Sequence, residues 1–242
     1  MISIIPVEGL PEIAEGTELG ALIADHTELE DGDVVVVAQK IVSKAEGRVV
    51  RLEDVEASDR ARELAGNWCD PRESEVILQQ TRRIVRSRNS LVIAETEHGF
   101  VCASAGVDHS NAAEPNTLVL LPVDPDASAR GIRDSIGAQT GRRVAVIVTD
   151  SFGRPFRRGT TDVAIGAAGI APLLDLRGTS DRAGSILRSS QVAVADEVAG
   201  AANLVRTSKV DGIPVVIVRG LAVSGDGAAA ELVMPAERDL FR

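Results

Sequence analysis

Four short apolar runs punctuate the chain: "ISIIPVEGL" (residues 2–10), "GDVVVVAQKIVSK" (32–44), "RVAVIVTD" (143–150) and "IPVVIVRGL" (213–221). They are rich in β-branched residues and nearly unbroken, the pattern of strands covered on both faces rather than one. Between the first two, "GTELGALIADHTEL" (16–29) carries apolar residues at helical spacing, so strand and helix alternate from the start. Residues 54 to 89 read as helical, broken near Asp70-Pro71 because a proline stops a helix at the preceding residue. "SLVIAETEHGFVCASAGVD" (90–108) predicts two strands joined by a turn at "EHG", a hairpin that delivers Asp108.

Residues 116–154 predict strand, turn, helix and strand, a β–α–β pattern with Asp126 or Ser128 as the helix N-cap and Gly141 ending the helix. "SSQVAVADEVAGAANLV" (189–205) reads as a further helix before the last buried strand. No internal repeat, low-complexity segment or linker interrupts the pattern. An α/β fold follows, with α+β as the variant, over one region spanning 1–242.

Composition narrows the function classes. Of 242 residues, only 2% are aromatic and none is Tyr, so stacking platforms for bases are scarce. A formal net charge of −10 argues against nucleic acid and anionic membrane as partners, while leaving room for a local basic loop that holds a phosphorylated small molecule. Cys69 and Cys102 lack the paired spacing of zinc or redox motifs and read as free core thiols. No window approaches the roughly 18 apolar residues of a membrane span, and the N-terminus lacks a basic leader, so a cytoplasmic protein is expected.

The stretch "VTDSFGRPFRRG" (148–159) concentrates the candidate chemistry. An apolar strand ending in Asp150 and Ser151 puts a carboxylate and a hydroxyl where ligands collect in open α/β sheets, and such oxygen donors suit Mg(II) or Mn(II); capping a turn is the alternative role for Asp150. Arg154, Arg157 and Arg158 follow between Gly153 and Gly159, either as an anion clamp or as a solvated basic loop. "AGVDHSN" (105–111) offers Asp108 as a second carboxylate, with His109, Ser110 and Asn111 beside it, although these residue types also favour plain turns. "KIVSKAEGR" (40–48) sets Lys40, Lys44 and Arg48 after a buried strand without the glycine run of a Walker loop. "VEGLPEI" (7–13) is a Gly-Pro turn able to line a pocket.

Together "PVEGLPEI", "DGDVVVVAQKIVSKAEGR", "AGVDHSN", "VIVTDSFGRPFRRG", "AIGAAGI", "ADEVAGAANLV" and "DGIPVVIVRGL" resemble the coenzyme F420:L-glutamate ligase family, from about residue 5 to about residue 226. The order of SKAEGR, G-x-D-x-S-N and T-D-[ST]-x-G-R-x-x-R-R-G is the specific part; no additional C-terminal flavin-binding domain is expected. The resemblance implies a GTP-dependent enzyme that adds L-glutamate to the phospholactyl carboxylate of the F420 precursor and extends a γ-linked tail. It also implies divalent Mg(II) or Mn(II), a two-subdomain mixed-sheet fold and an intertwined homodimer. Carried onto this chain, it implies Asp108 and Asp150 as metal ligands, with Ser151 at a second metal. Leu10, Pro11, Glu12, Ile13, Gln39, Lys40, Lys44 and Asn111 would contact the nucleotide, as would Arg206, Thr207, Ser208, Lys209, Val210, Asp211, Gly212 and Ile213. Catalytic roles fall on Asp108, Asp150, Arg154 and Arg158. Ser208 departs from relatives that carry a carboxylate there, which puts the second metal in question and gives Lys209 a charge-neutralising role. A same-family ligase for another phosphorylated or pterin-type carboxylate, and a non-catalytic nucleotide-binding protein, are the alternative readings.

Overall fold

The computed structural model describes residues 1–109, 116–206, 212–222 and 225–240. In chain order the elements are β1 (Ser3–Val7), α1 (Leu19–His26), β2 (Val34–Ala38), α2 (Gln39–Ala45), β3 (Val49–Arg51), α3 (Asp59–Ala65), α4 (Pro71–Gln79), β4 (Thr81–Arg88), β5 (Leu91–Thr96), β6 (Val101–Ala103), β7 (Thr117–Val119), α5 (Pro125–Thr140), β8 (Ala145–Gly153), β9 (Thr160–Ala168), β10 (Leu174–Asp175), β11 (Gln191–Val192), α6 (Val194–Asn203) and β12 (Val215–Arg219). The fold is mixed α/β, as the strand and helix patterns predict.

The four apolar runs meet in one five-stranded sheet of order β1-β12-β2-β8-β9. Only the β2–β8 pair is parallel; the other pairings are antiparallel. Alternating residues of each central strand enter different cores, which explains the unbroken apolar runs. Val35, Val37, Val146, Val148, Val215 and Ile217 pack beneath α1 and α5, with Ile23, Ile132 and Ile136. Val34, Val36, Ala145, Ile147, Val216 and Val218 face the other way, onto Ala195, Val198 and Ala202 of α6. Burying each such side chain contributes roughly 1.5–3 kcal/mol, so the two-sided sheet is the main source of stability.

The excursion between β2 and β8 builds a separate core. Leu52, Val76, Ile77, Val92, Ala94, Val107, Leu118 and Leu120 form it, gathered from α4, β5 and the chain around β7. Here the sheet is β4-β5-β6, with β3 pairing β7 nearby. The 97–99 turn between β5 and β6 is present as the pattern predicts, with Gly99 at φ 88°.

Several local expectations are corrected. The run 32–44 is not strand throughout: β2 stops at Ala38 and α2 starts at Gln39, because Gln, Lys and Ser then place Ile41 and Val42 on a buried helical face. Residues 81–88 are not helical but form β4, whose Ile84 is half-buried while five arginine and serine positions face outward along an edge. The N-cap of α5 is Asp124, whose carboxylate accepts from the Ala127 N–H at 2.9 Å, with Pro125 in the first turn. Asp126 instead accepts from the N–H groups of Ala167 and Ala229, tying β9 and the C-terminal segment to α5. The 116–154 segment is no simple β–α–β unit, since β7 and β8 belong to different sheets. In 189–205 the helix begins only at Val194, after the short β11.

The docking of α5 on β9 leaves no room at Gly166, where an added Cβ would lie 2.1 Å from the Pro125 carbonyl oxygen. Backbone cannot yield as a flexible side chain can. We expect Gly166→Ala to cost about 2 kcal/mol or more, read as a lower urea midpoint at unchanged slope; a loss below about 0.5 kcal/mol would show that the helix shifts freely.

Candidate active site

Parallel pairing aligns Ala38 of β2 with Thr149 of β8, so the residues that follow come to one common end of the β2–β8 pair, where β2 turns into α2 and β8 continues paired with β9 alone. On one side stand Gln39 and Lys40, on the other Asp150 and Ser151. Lys40 and Lys44 are one turn apart on α2 and therefore share a face. Lys40 Nζ lies 2.7 Å from Asp108 Oδ2, and Lys44 pairs with Glu12. Asp108 is held by a two-way backbone bridge with Val119, at 3.0 and 2.9 Å. The chain reaches it not along a strand but through a turn in which Ser104, Ala105 and Gly106 all have positive φ, 52°, 52° and 74°.

Across the β8–β9 ladder, Ser151 faces Asp162. The Ser151 hydroxyl donates to Asp162 Oδ1 at 2.5 Å, and Asp162 Oδ2 meets Arg206 Nη1 at 3.3 Å. Arg206 also donates to Thr149 Oγ1 at 2.8 Å, to the Val36 carbonyl at 2.6 Å and to the Pro214 carbonyl at 3.2 Å, so one buried guanidinium ties β2, β8, β9 and the residue before β12 together. Burial lowers its pKa and Asp162 opposes that fall.

These groups floor a cleft of about 560 Å³, within the usual range for a small-molecule site. Leu10 to Ile13, Gln39, Lys40, Lys44, Asp150, Ser151, Arg206, Gly212 and Ile213 line it, joining segments far apart in sequence. Asp108 reaches the cleft through Lys40. Arg154 and Arg158 do not line it; they sit beyond Gly153 at the tip of the β8–β9 hairpin. Asn111, Thr207, Ser208, Lys209, Val210 and Asp211 lie outside the described residues. His109 is exposed, 3.6 Å from Glu73.

The sequence reading passed over Asp162, Thr149, Asn203 and Pro214, all in the lining. The signal for Asp162 was slight: an acid inside the strand pattern "TTDVAIGAA", at an otherwise buried position. Its partner Ser151 follows only from the ladder register.

The electrostatics are those of a crowded anion. Burial pushes the Asp150 carboxyl up to about 7, and the Asp108 and Asp162 carboxylates add to the rise; the Ser151 N–H and Lys40 pull the other way without prevailing. Cys102 is pushed up to about 12, first by burial and then by Asp150, so its thiol is no nucleophile. Two buried donors at the cleft lack partners among the described residues, Gln39 Nε2 and Arg206 Nε; Arg154 Nε, at the hairpin tip, is a third. Among the described residues no three His, Cys, Asp or Glu side chains form a complete metal cage. The donor set nonetheless fits Mg(II) or Mn(II), which take hard oxygen ligands and few protein carboxylates, keeping positions for phosphate and water. Because the Ser151 hydroxyl donates its hydrogen bond to Asp162, the oxygen keeps its lone pairs as acceptors.

Fold and site together define a mixed α/β protein with a polar cleft at the carboxyl ends of two parallel strands. The sequence profile of the F420-0:gamma-glutamyl ligase family matches residues 9–220, and the chain belongs to that family. It is 42% identical over 250 residues to a protein named coenzyme F420:L-glutamate ligase from Methanothermobacter thermautotrophicus, covering 100% of this chain and 99% of that one. Proteins of the same name from Archaeoglobus fulgidus (43%, 100% of this chain and 96% of the relative) and Methanocaldococcus jannaschii (44%, 94% and 91%) are similar to it. No helix among the described residues is long and apolar enough to cross a membrane.

The raised Asp150 pKa fixes the sign of a pH effect. An unfolded Asp titrates near 3.9, so Asp150's favourable contribution to the metal-free fold is complete below that pH and lost as pH rises through about 7. Asp150→Asn should therefore stabilise the metal-free protein at pH 8 and make no difference near pH 3.5. Urea midpoints at both pH values check this; a difference independent of pH would refute it.

Proposed function

We propose that the protein is a GTP-dependent ligase that adds L-glutamate through γ-linkages to the coenzyme F420 precursor, F420-0, by way of an acyl phosphate. The observation that carries this reading is the cleft itself, in which Asp150 and Asp162 lie together, with Asp108 held against Lys40 beside them, while Lys40, Lys44 and Arg206 face the same space. A carboxylate is a poor electrophile and must first be activated. Its oxygen attacks the γ-phosphorus of GTP, the bond to the leaving GDP breaks, and the acyl phosphate forms. The amine of glutamate then attacks the acyl carbon, inorganic phosphate leaves and the nitrogen loses a proton.

In this reading Asp108, Asp150 and Ser151 hold Mg(II) or Mn(II), which supplies charge neutralisation for the transferring phosphoryl group. The chain's own groups do the rest. Lys40 and Lys44, fixed one helical turn apart, balance phosphate charge. Gln39 Nε2 and Arg206 Nε offer donors for nucleotide oxygens, and the turn Leu10 to Ile13 walls the pocket. No protein nucleophile is required, in keeping with the protonated Cys102 thiol. We further propose an intertwined homodimer in the cytoplasm, for which light scattering should give about twice the chain mass of 25.4 kDa; the mass of one chain would overturn that assignment.

Incubation with the F420 precursor, GTP, L-glutamate and Mn(II), followed by mass spectrometry, should show glutamylated product together with GDP and phosphate. Product formed without nucleotide would overturn the mechanism, and nucleotide binding without product would leave a binding protein. Asp108→Asn and Asp150→Asn should each lower turnover at least about a hundredfold with circular dichroism unchanged, because each removes an ionised oxygen from the charge-stabilising centre. Near-normal activity of either at saturating Mn(II) would remove that residue from the site.

A further inference from the structure

We propose that the tip of the β8–β9 hairpin, residues 153–159, is the arm that binds the ligase's acceptor, taking an aromatic ring on Phe156 and anionic groups on Arg154, Arg157 and Arg158. The inference rests on the ligase reading above and deepens it by locating one substrate. The hairpin passes through the site before it reaches the tip: Asp150 pairs Val163, Ser151 pairs Asp162, and the ladder continues to Gly153 opposite Thr160. At about 3.4 Å per residue, the tip begins about 10 Å beyond Asp150, a small molecule's length from the reacting centre.

Positive charge is concentrated at this tip. In a chain of net charge −10, Arg72, Arg83, Arg133, Arg177, Arg206 and Arg219 are all ion-paired. Arg154, Arg157 and Arg158 have no carboxylate partner among the described residues, although they lie within five positions of one another. Three guanidinium groups so placed repel each other unless an anion joins them, and their forks match phosphate and carboxylate oxygens. The tip is nonetheless a built turn. Arg154 Nη2 donates to the Arg158 carbonyl at 3.0 Å and the Arg157 N–H to the Arg154 carbonyl at 3.3 Å, while Arg154 Nε is buried with no partner.

Phe156 supplies an independent observation. It is one of only 4 Phe in a chain without Tyr, yet it stands 93% exposed with φ 61°. A bulky side chain in the left-handed region is strained, and its ring in water forgoes burial, so two costs fall on one residue. Strain of this kind collects at binding and catalytic positions. A flat exposed ring flanked by guanidinium groups is a surface for an aromatic molecule bearing phosphate or carboxylate. The nucleotide does not need this arm, since the cleft has its own cations in Lys40, Lys44 and Arg206. Glutamate has no ring to stack. The acceptor is the remaining substrate.

The test measures precursor binding by equilibrium dialysis without GTP, together with KM for precursor and for GTP. The paired change Arg157→Gln and Arg158→Gln should raise the precursor Kd at least tenfold and flatten its dependence on salt, with KM for GTP unmoved. Phe156→Gly separates binding from structure. Glycine is at ease at positive φ, so the thermal midpoint should not fall, while the precursor Kd should rise several-fold. Unchanged precursor Kd in these variants, or a rise in KM for GTP alone, would overturn the assignment while turnover by the unmodified protein leaves the ligase reading standing. A changed mass of the variants in light scattering would overturn it by making the tip a subunit contact. Failure of the unmodified protein to bind the precursor at all would overturn both.

Discussion

The parallel pairing of β2 with β8 is the constraint on which the rest of the molecule depends. Parallel neighbours cannot be joined by a tight turn, so the chain must leave at Ala38 and return at Ala145, and residues 39–144 fill that excursion with α2, the second core and α5. Parallel direction also brings both carboxyl ends to one edge. Lys40 and Asp150, 110 positions apart, become neighbours for that reason, and Asp108 is delivered to the same place by the second core.

The sheet carries a buried Asp paired with an Arg at each of two ends, and the two pairs differ. At the edge away from the cleft, Arg219 grips Asp33 with two bonds of 2.8 Å, closing that acid completely. At the cleft edge, Arg206 meets Asp162 at 3.3 Å and spends its other bonds on backbone and Thr149, while Asp150 is left with like charges around it. One acid is satisfied by the fold. The other group is satisfied only in part: Asp108 pairs with Lys40 and Asp162 with Ser151 and Arg206, while burial and its acidic neighbours leave the Asp150 carboxyl raised, a cost in folded-state stability.

Much of this was legible in the sequence, for identifiable reasons. The run Val34–Val37 could only be a strand buried on both faces, and its alternate residues do enter two cores. Lys40 and Asp150, just past the valine-rich parts of β2 and β8, and the turn at Leu10 to Ile13 stood out where the apolar patterns give way to polar residues. What stayed hidden depended on register or on competition between close alternatives. Residues 81–88 follow a true helix without a proline or glycine between them, so only pairing with β5 reveals a strand. Asp162 is an unremarkable acid until the β8–β9 ladder sets it against Ser151, and Asp124 wins the N-cap over Asp126 because Pro125 occupies the first turn.

The order of strands in the sheet also bears on how the chain is made. β1 lies at the outer edge and its ladder partner is β12, so Ser3–Val7, synthesised well before that partner, must wait for Val215–Arg219. The second core, built from residues 50–120, can close much earlier on the ribosome. Until the last strand emerges, the valines of β2 lack their neighbour on one side and present an open, apolar ladder edge. A nascent chain stalled before residue 215 would therefore carry a finished small core attached to a half-made sheet, the form in which a chaperone would meet it.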